Sequence, residues 1–253
     1  MEAITRALGE QHAELDGLLA ALTGPEWDRP VPACPGWTVA DVVLHLAQTD
    51  ELVLSSLEDG FAAAAEPLMG AAVGGGTVDD AVARMVDHQR GAPGAEVHAR
   101  WREAAAAVRG VLAAADPRRP MPWVVTDLPA RTMATTRLSE CWIHTLDVAG
   151  AVGVAVPATG RLWHVARLAW RTIPYAFARA GIAPPAGPVS ARLDAPDGTC
   201  WEFGTDQQAV TAVTGSAVEF CLVAARRLAP AESGLRAEGP DSAQVLAHLR
   251  TYA

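Results

Sequence analysis

Glu140, His144 and Asp147 lie four and then three residues apart in the stretch Arg137-Leu-Ser-Glu140-Cys-Trp-Ile-His144-Thr-Leu-Asp147. Ala134, Leu138, Cys141, Trp142 and Leu146 recur there at three- and four-residue intervals, which predicts a helix. On a helix that spacing puts all three polar groups on one face. A carboxylate and an imidazole one turn apart can share a divalent metal, each at about 2.0–2.2 Å. Two ligands from one helix do not complete a site, so the rest of the chain must supply a third.

The elements around this helix decide where a third ligand can come from. An amphipathic helix is predicted over residues 3–22, with Leu8, Leu15, Leu19 and Leu22 on one stripe and His12 within it. A Pro-rich connection follows, and Thr38-Val-Ala-Asp41 reads as a capping box that opens a helix running to residue 57. Residues 60–76, rich in Ala and Gly, are expected to be a loop or frayed helix ends. Helices are predicted over 78–89 and 95–115, a short extended piece at 120–125, and the Glu140/His144 helix ends near residues 150–153. Four long helices make an antiparallel bundle the natural packing, and bundle sites are built from facing helices. His45, on the second helix, is therefore the best third ligand. Spacing alone leaves this open, because an inward His or Glu is more often held by a local hydrogen bond than by a metal.

Beyond residue 160 the pattern changes. A helix over 161–180, broken or bent at Pro174, is followed by alternating segments at 189–193 and 199–203 around Pro196-Asp197-Gly198, read as a hairpin. A third strand at 209–213, a helix at 216–228, a strand at 234–237 and a helix at 242–252 complete the expectation. The domains are set at 1–155 and 156–253, with the 161–180 helix as connector.

Composition narrows the chemistry. The chain has 253 residues, half of them hydrophobic, which is ample for a core. Its net charge of −9 argues against a nucleic-acid or anionic-membrane surface. All twenty basic residues are arginine, so Schiff-base chemistry, a pyridoxal phosphate attachment point and a P-loop are excluded. The four cysteines form no C-x-x-C, so neither a zinc knuckle nor a disulfide framework is indicated. No apolar run approaches about 18 residues and the first residues lack a signal-peptide pattern, so a soluble, cytoplasmic protein is expected.

Pro35-Gly36-Trp37-Thr38-x-x-Asp41-x-x-x-His45-Leu46, with the downstream Glu140-x-x-x-His144-x-x-Asp147-Val148, resembles the DinB-like metal-binding bundles. More closely it resembles the mycothiol-dependent maleylpyruvate isomerase group of actinobacteria, and an uncharacterised metal-binding branch of it in particular. Gly215-Ser-Ala-Val-Glu-Phe-Cys-Leu-Val-Ala-Ala-Arg226-Arg227 matches the helix of that group's small C-terminal domain.

The resemblance implies an α+β protein: an N-terminal four-helix DinB-like bundle followed by a small sterol-carrier-like α+β domain. It implies that His45, Glu140 and His144 hold zinc, with Fe2+ or Ni2+ as alternatives for a two-His, one-carboxylate set. It also implies a small-molecule substrate, a low-molecular-weight thiol such as mycothiol, and a catalytic Arg226 that clamps a substrate carboxylate. The expected activity is thiol-dependent isomerisation or transfer. A thiol-independent cyclase, lyase or hydrolase, or a metal protein without turnover, stays open. Asp147 can orient a ligand histidine, His12 can be a pocket group or a core histidine, and Arg171 can line a cleft or simply pack. Arg226 and Arg227 compete for the clamp, since either can instead neutralise a helix C-terminus.

Overall fold

The computed structural model describes residues 1–69, 77–124, 126–205 and 208–251 of the chain. It divides into two compact units, Met1–Val156 and Pro157–Ala253.

The first unit is helical, and its helix starts are set by side chains. The Thr38 hydroxyl accepts from the Asp41 amide at 3.3 Å while Asp41 Oδ2 accepts from the Thr38 amide at 2.9 Å. That reciprocal cap satisfies donors the helix cannot use itself and starts α2 (Val39–Asp59). Before it lie α1 (Glu2–Ala20) and a 3-10 turn (Gly24–Asp28). After it come α3 (Phe61–Met69), α4 (Val78–Gln89) and α5 (Gly94–Ala114). The two-residue strands β1 (Pro120–Met121) and β2 (Leu128–Pro129) pair antiparallel and lead into α6 (Ala130–Val152). Gly153, at φ 77° in the left-handed region, closes α6.

Helix α6 packs against α1, α2 and α5 and is buried on most sides. Leu8, Leu15 and Leu19 of α1, Val42 and Val43 of α2, Trp101 and Leu112 of α5, and Leu138 of α6 are almost wholly enclosed. Polar ties fix the register between helices. Gln11 Nε2 donates to Thr145 Oγ1 at 3.0 Å, linking α1 to α6. Arg100 reaches from α5 to both carboxylate oxygens of Glu51 on α2 at 2.6 Å.

Residues 60–69 differ from expectation. Gly60 and the following Ala-rich run suggested a loop or frayed helix ends, but alanine has the best helix propensity and a separate helix, α3, forms there, with Ala64 and Ala65 buried beside Leu52. Residues 70–76 of that expected loop and Val125 of the extended piece lie outside the described residues.

The second unit begins with α7 (Leu162–Arg171) and α8 (Ile173–Arg179). Pro174, lacking an amide hydrogen, sits in the first turn of α8, so the helix expected over 161–180 is broken, as one of the two expected outcomes had it, with the break at Thr172. A four-stranded sheet follows in the order β4-β3-β5-β6. Strands β3 (Val189–Asp194) and β4 (Cys200–Phe203) form the expected antiparallel hairpin. β5 (Thr211–Ser216) runs parallel to β3, and β6 (Arg236–Glu238) antiparallel to β5. Helix α9 (Ala217–Ala224) follows β5, and α10 (Ser242–His248) follows β6. Leu162, Phe177, Leu193, Val213 and Phe220 form the interior. The architecture is the α+β one read from the sequence, a helical bundle with a small sheet domain.

Candidate metal centre

α2 and α6 bring His45, Glu140 and His144 together. One ligand atom from each lies within 4.8 Å of the others. His45 Nε2 stands 3.5 Å from Glu140 Oε2, and His144 Nε2 stands 3.7 Å from the same oxygen. The imidazole centroids are 5.0 Å apart and nearly perpendicular. Atoms placed tetrahedrally at about 2.0–2.2 Å from a zinc ion are themselves roughly 3.3–3.6 Å apart. The two spacings to Glu140 Oε2 are close to that edge length, and all three donors lie within 4.8 Å of one another, a set able to hold a divalent metal.

Asp147 settles which nitrogen of His144 is free. Its Oδ2 lies 2.9 Å from His144 Nδ1, so Nδ1–H donates to the carboxylate and the Nε2 lone pair is turned toward Glu140. His45 is held differently. Its Nδ1 is buried with no hydrogen-bond partner, and the Trp37 ring lies 5.4 Å from its own.

The electrostatics suit a cation. Burial lowers the His45 pKa, more than the Glu140 carboxylate beside it raises it, so the ring is kept neutral. Burial works to raise the Glu140 carboxyl. The hydrogen bond from His45 and the charge of Arg137 outweigh it and bring it down to about 2. Neutral imidazoles and an ionised carboxylate are the forms that ligate.

The loop before α2 covers this cluster, which the sequence did not reveal. Cys34 Nα–H and Trp37 Nα–H turn back on Val31 O and Cys34 O at 3.0 Å each, and Gly36 takes φ 84° between them. The loop delivers Cys34 Sγ to 3.5 Å from Asp147 Oδ2, so Cys34, His144 and Asp147 form a second grouping that shares His144. The only available signal was the Pro35-Gly36-Trp37 turn immediately after a cysteine.

The other expected site residues fall elsewhere. His12 is outside both groupings. Arg109 Nη1 donates to its Nδ1 at 3.1 Å, Trp101 packs edge-on at 5.8 Å, and burial, aided by Arg109, pushes its pKa down to about 3. It is a neutral core histidine. Arg171 is exposed at the end of α7.

Arg226 is exposed just beyond α9 and takes φ 59°, the one non-glycine residue at positive φ among those described. Arg227 Nα–H returns to Leu222 O at 2.8 Å and Arg226 Nα–H to Val223 O at 3.0 Å. That pattern normally closes on glycine. The guanidinium of Arg227 donates to Ala225 O at 3.1 Å, so Arg227 neutralises the helix end and Arg226 does not.

Bundle, cluster and small sheet unit together define a DinB-like helical protein with an appended α+β unit. A family model described as the mycothiol maleylpyruvate isomerase N-terminal domain matches residues 8–149, and the chain belongs to that family. Two uncharacterised proteins of Mycobacterium tuberculosis, from strains CDC 1551 and H37Rv, are each 37% identical over 240 residues, covering 95% of this chain and 91% of theirs. Among solved structures, the mycothiol-dependent maleylpyruvate isomerase matches with a TM-score of 0.60 at 15% identity. A histidine-to-alanine mutant of it matches with 0.59 at 16%, each covering 95% of both chains. At that identity the likeness is one of fold. Among the described residues no helix is long and apolar enough to cross a membrane.

Proposed function

We propose that this protein is a zinc enzyme that uses a low-molecular-weight thiol, mycothiol, to isomerise a small unsaturated organic substrate. The carrying observation is the meeting of His45, Glu140 and His144 at ligand spacing, with Asp147 holding the tautomer of His144. Membership of the maleylpyruvate isomerase family supports the thiol and the reaction type. His45, Glu140 and His144 would hold the metal, and three protein ligands leave a position for a small molecule. Bound there, zinc would supply the positive charge that lets a coordinated thiol or water lose its proton near neutral pH.

The chain's own residues do the rest. Asp147 keeps the proton of His144 on Nδ1. Burial keeps His45 unprotonated, and Trp37 shields its ring from water. Arg226, exposed and free of the helix-end duty that Arg227 performs, serves as an anchor for an anionic substrate. A non-glycine residue held in the left-handed region costs about 1 kcal/mol, and such strain is found at functional positions.

The test is turnover of a panel of small cis-alkenes and carbonyl electrophiles by zinc-restored protein, with and without mycothiol. The reading expects isomerisation that requires both zinc and thiol. Turnover independent of thiol, or none on any substrate with stoichiometric zinc bound, would overturn it.

A further inference from the structure

The loop before α2 touches the metal cluster from two sides. Its neck is closed where Pro30 and Thr38 bridge antiparallel, with Val31 N–H donating to Trp37 O at 2.9 Å and Val39 N–H to Arg29 O at 3.0 Å. Arg90, just past α4, braces it from outside. Its Nη2 donates to Gly36 O at 3.5 Å, and its Nε stands 3.5 Å from Oδ1 of Asp41, whose other oxygen caps α2. From this frame Trp37 packs on His45 of α2, and Cys34 meets Asp147 of α6.

The half-buried Cys34 thiol donates to Asp147 Oδ2 at 3.5 Å, a length suited to the larger sulfur atom. The same oxygen accepts from His144 Nδ1–H at 2.9 Å. Thiol, carboxylate and imidazole thus form a chain whose far end, His144 Nε2, faces Glu140. The Asp147 side chain is only 2% exposed, so protein donors rather than water decide where Oδ2 sits. Cys34 groups with His144 and Asp147 and not with His45 and Glu140, so its thiol meets the surroundings of the metal site and not the metal. The partner that orients a ligating imidazole is worth about 10- to 100-fold in metal affinity. A thiol that holds that partner contributes a smaller share, because S–H is a weak donor.

We propose that Cys34 is a positioning residue for the metal: its thiol holds Asp147 Oδ2 on His144 Nδ1 and acts on the ion only through that carboxylate. The proposal rests on the metal reading above and adds control of that metal by the loop. The thiol rides on the segment that carries Trp37, so a loop that lifts away takes the support from His144 and the cover from His45 together.

The experiment times zinc loss to excess chelator by stopped flow, on zinc-loaded wild type, Cys34→Ala, Asp147→Ala and the double variant. Cys34→Ala should release zinc about 3- to 10-fold faster than wild type. Cys34→Ser keeps a donor and should recover part of that difference. In the Asp147→Ala background, Cys34→Ala should change the rate by less than about 1.5-fold, because residues acting as one chain do not add. Cobalt in place of zinc should show no thiolate-to-metal charge-transfer band. Should Cys34→Ala fail to fold, Cys34→Val fills the same space without a donor and is read the same way. An unchanged rate in the folded Cys34 variant, an equal acceleration with and without Asp147, or a charge-transfer band that disappears with Cys34 overturns the proposal. A wild type that binds no zinc sinks the metal reading and this proposal with it, whereas zinc held with no effect of Cys34 sinks this proposal alone.

Discussion

Among the described residues the N-terminal unit buries His12, Asp41, His45, Asp50, Arg137, His144 and Asp147, whereas the C-terminal unit buries no histidine, acid or arginine and encloses only Thr211 and Thr251 of its polar side chains. The two units belong to one chain, so the contrast is not one of overall composition. Burying a charge costs several kcal/mol unless it is paired or ligated, and the bundle concentrates its buried acids and arginine on α2 and α6. The bundle therefore carries its chemistry inside, on facing helices. The sheet unit keeps an apolar core and leaves Arg226 exposed on its surface.

Four measurements can break or sharpen that contrast. Arg226→Ala should cost about 10²-fold in kcat/KM for an anionic substrate, about 2.7 kcal/mol, with metal content unchanged. An unaltered kcat/KM would leave the surface of the sheet unit without a role. Asp147→Ala, inside the bundle, should weaken zinc by about 10- to 100-fold, read by competition with a chelator, and Asp147→Asn by less because its amide oxygen still accepts from His144.

The third concerns acid. The pKa of His12 is lowered from 6.5 to about 3 on folding, so the unfolded chain takes up a proton as the pH drops below 6.5 and the folded chain does not. Stability from this residue is therefore complete above pH 6.5 and is lost as pH falls toward 3. Between pH 7 and 5 it amounts to about 2 kcal/mol. His12→Gln keeps an acceptor for Arg109 and should remove that much of the wild-type change in denaturant midpoint. Asp50, raised to about 6, works in the opposite direction, adding stability as pH falls through 6. Equal acid sensitivity in His12→Gln and wild type would mean that the buried histidine is not what the bundle loses.

The smallest effect is expected at the strained residue. Arg226→Gly should raise the stability of the C-terminal unit by about 1 kcal/mol in urea titration while losing activity, since glycine accepts positive φ without cost.

What the sequence disclosed follows the same division. The start of α2 was legible because Thr38 and Asp41 write a cap into four residues, and local chemistry of that kind does not depend on the rest of the fold. The meeting of His45 with Glu140 and His144 was legible in the two-helix motif. Arg137 and Cys34 were in plain view and unread, because their partners, Asp50, Trp123 and Asp147, are distant in sequence. Helix α9 was expected to reach Leu228 but stops at Ala224. The signal for a helix end is glycine in the left-handed region, and here an arginine takes that place. The parallel pairing of β3 with β5 leaves no mark in alternation, which gives the face of a strand and not its neighbour.

The account stands on His45, Glu140 and His144 sharing one metal ion. Zinc titration of metal-free protein against a competing chelator, on wild type and on His144→Ala, tests this most directly. The wild type should bind one zinc per chain with Kd on the order of 10⁻⁹ M or tighter. His144→Ala should remain folded by circular dichroism and bind more than about 10²-fold more weakly. A folded His144→Ala protein that keeps one zinc per chain at wild-type affinity would contradict the account, as would a wild type that takes up none.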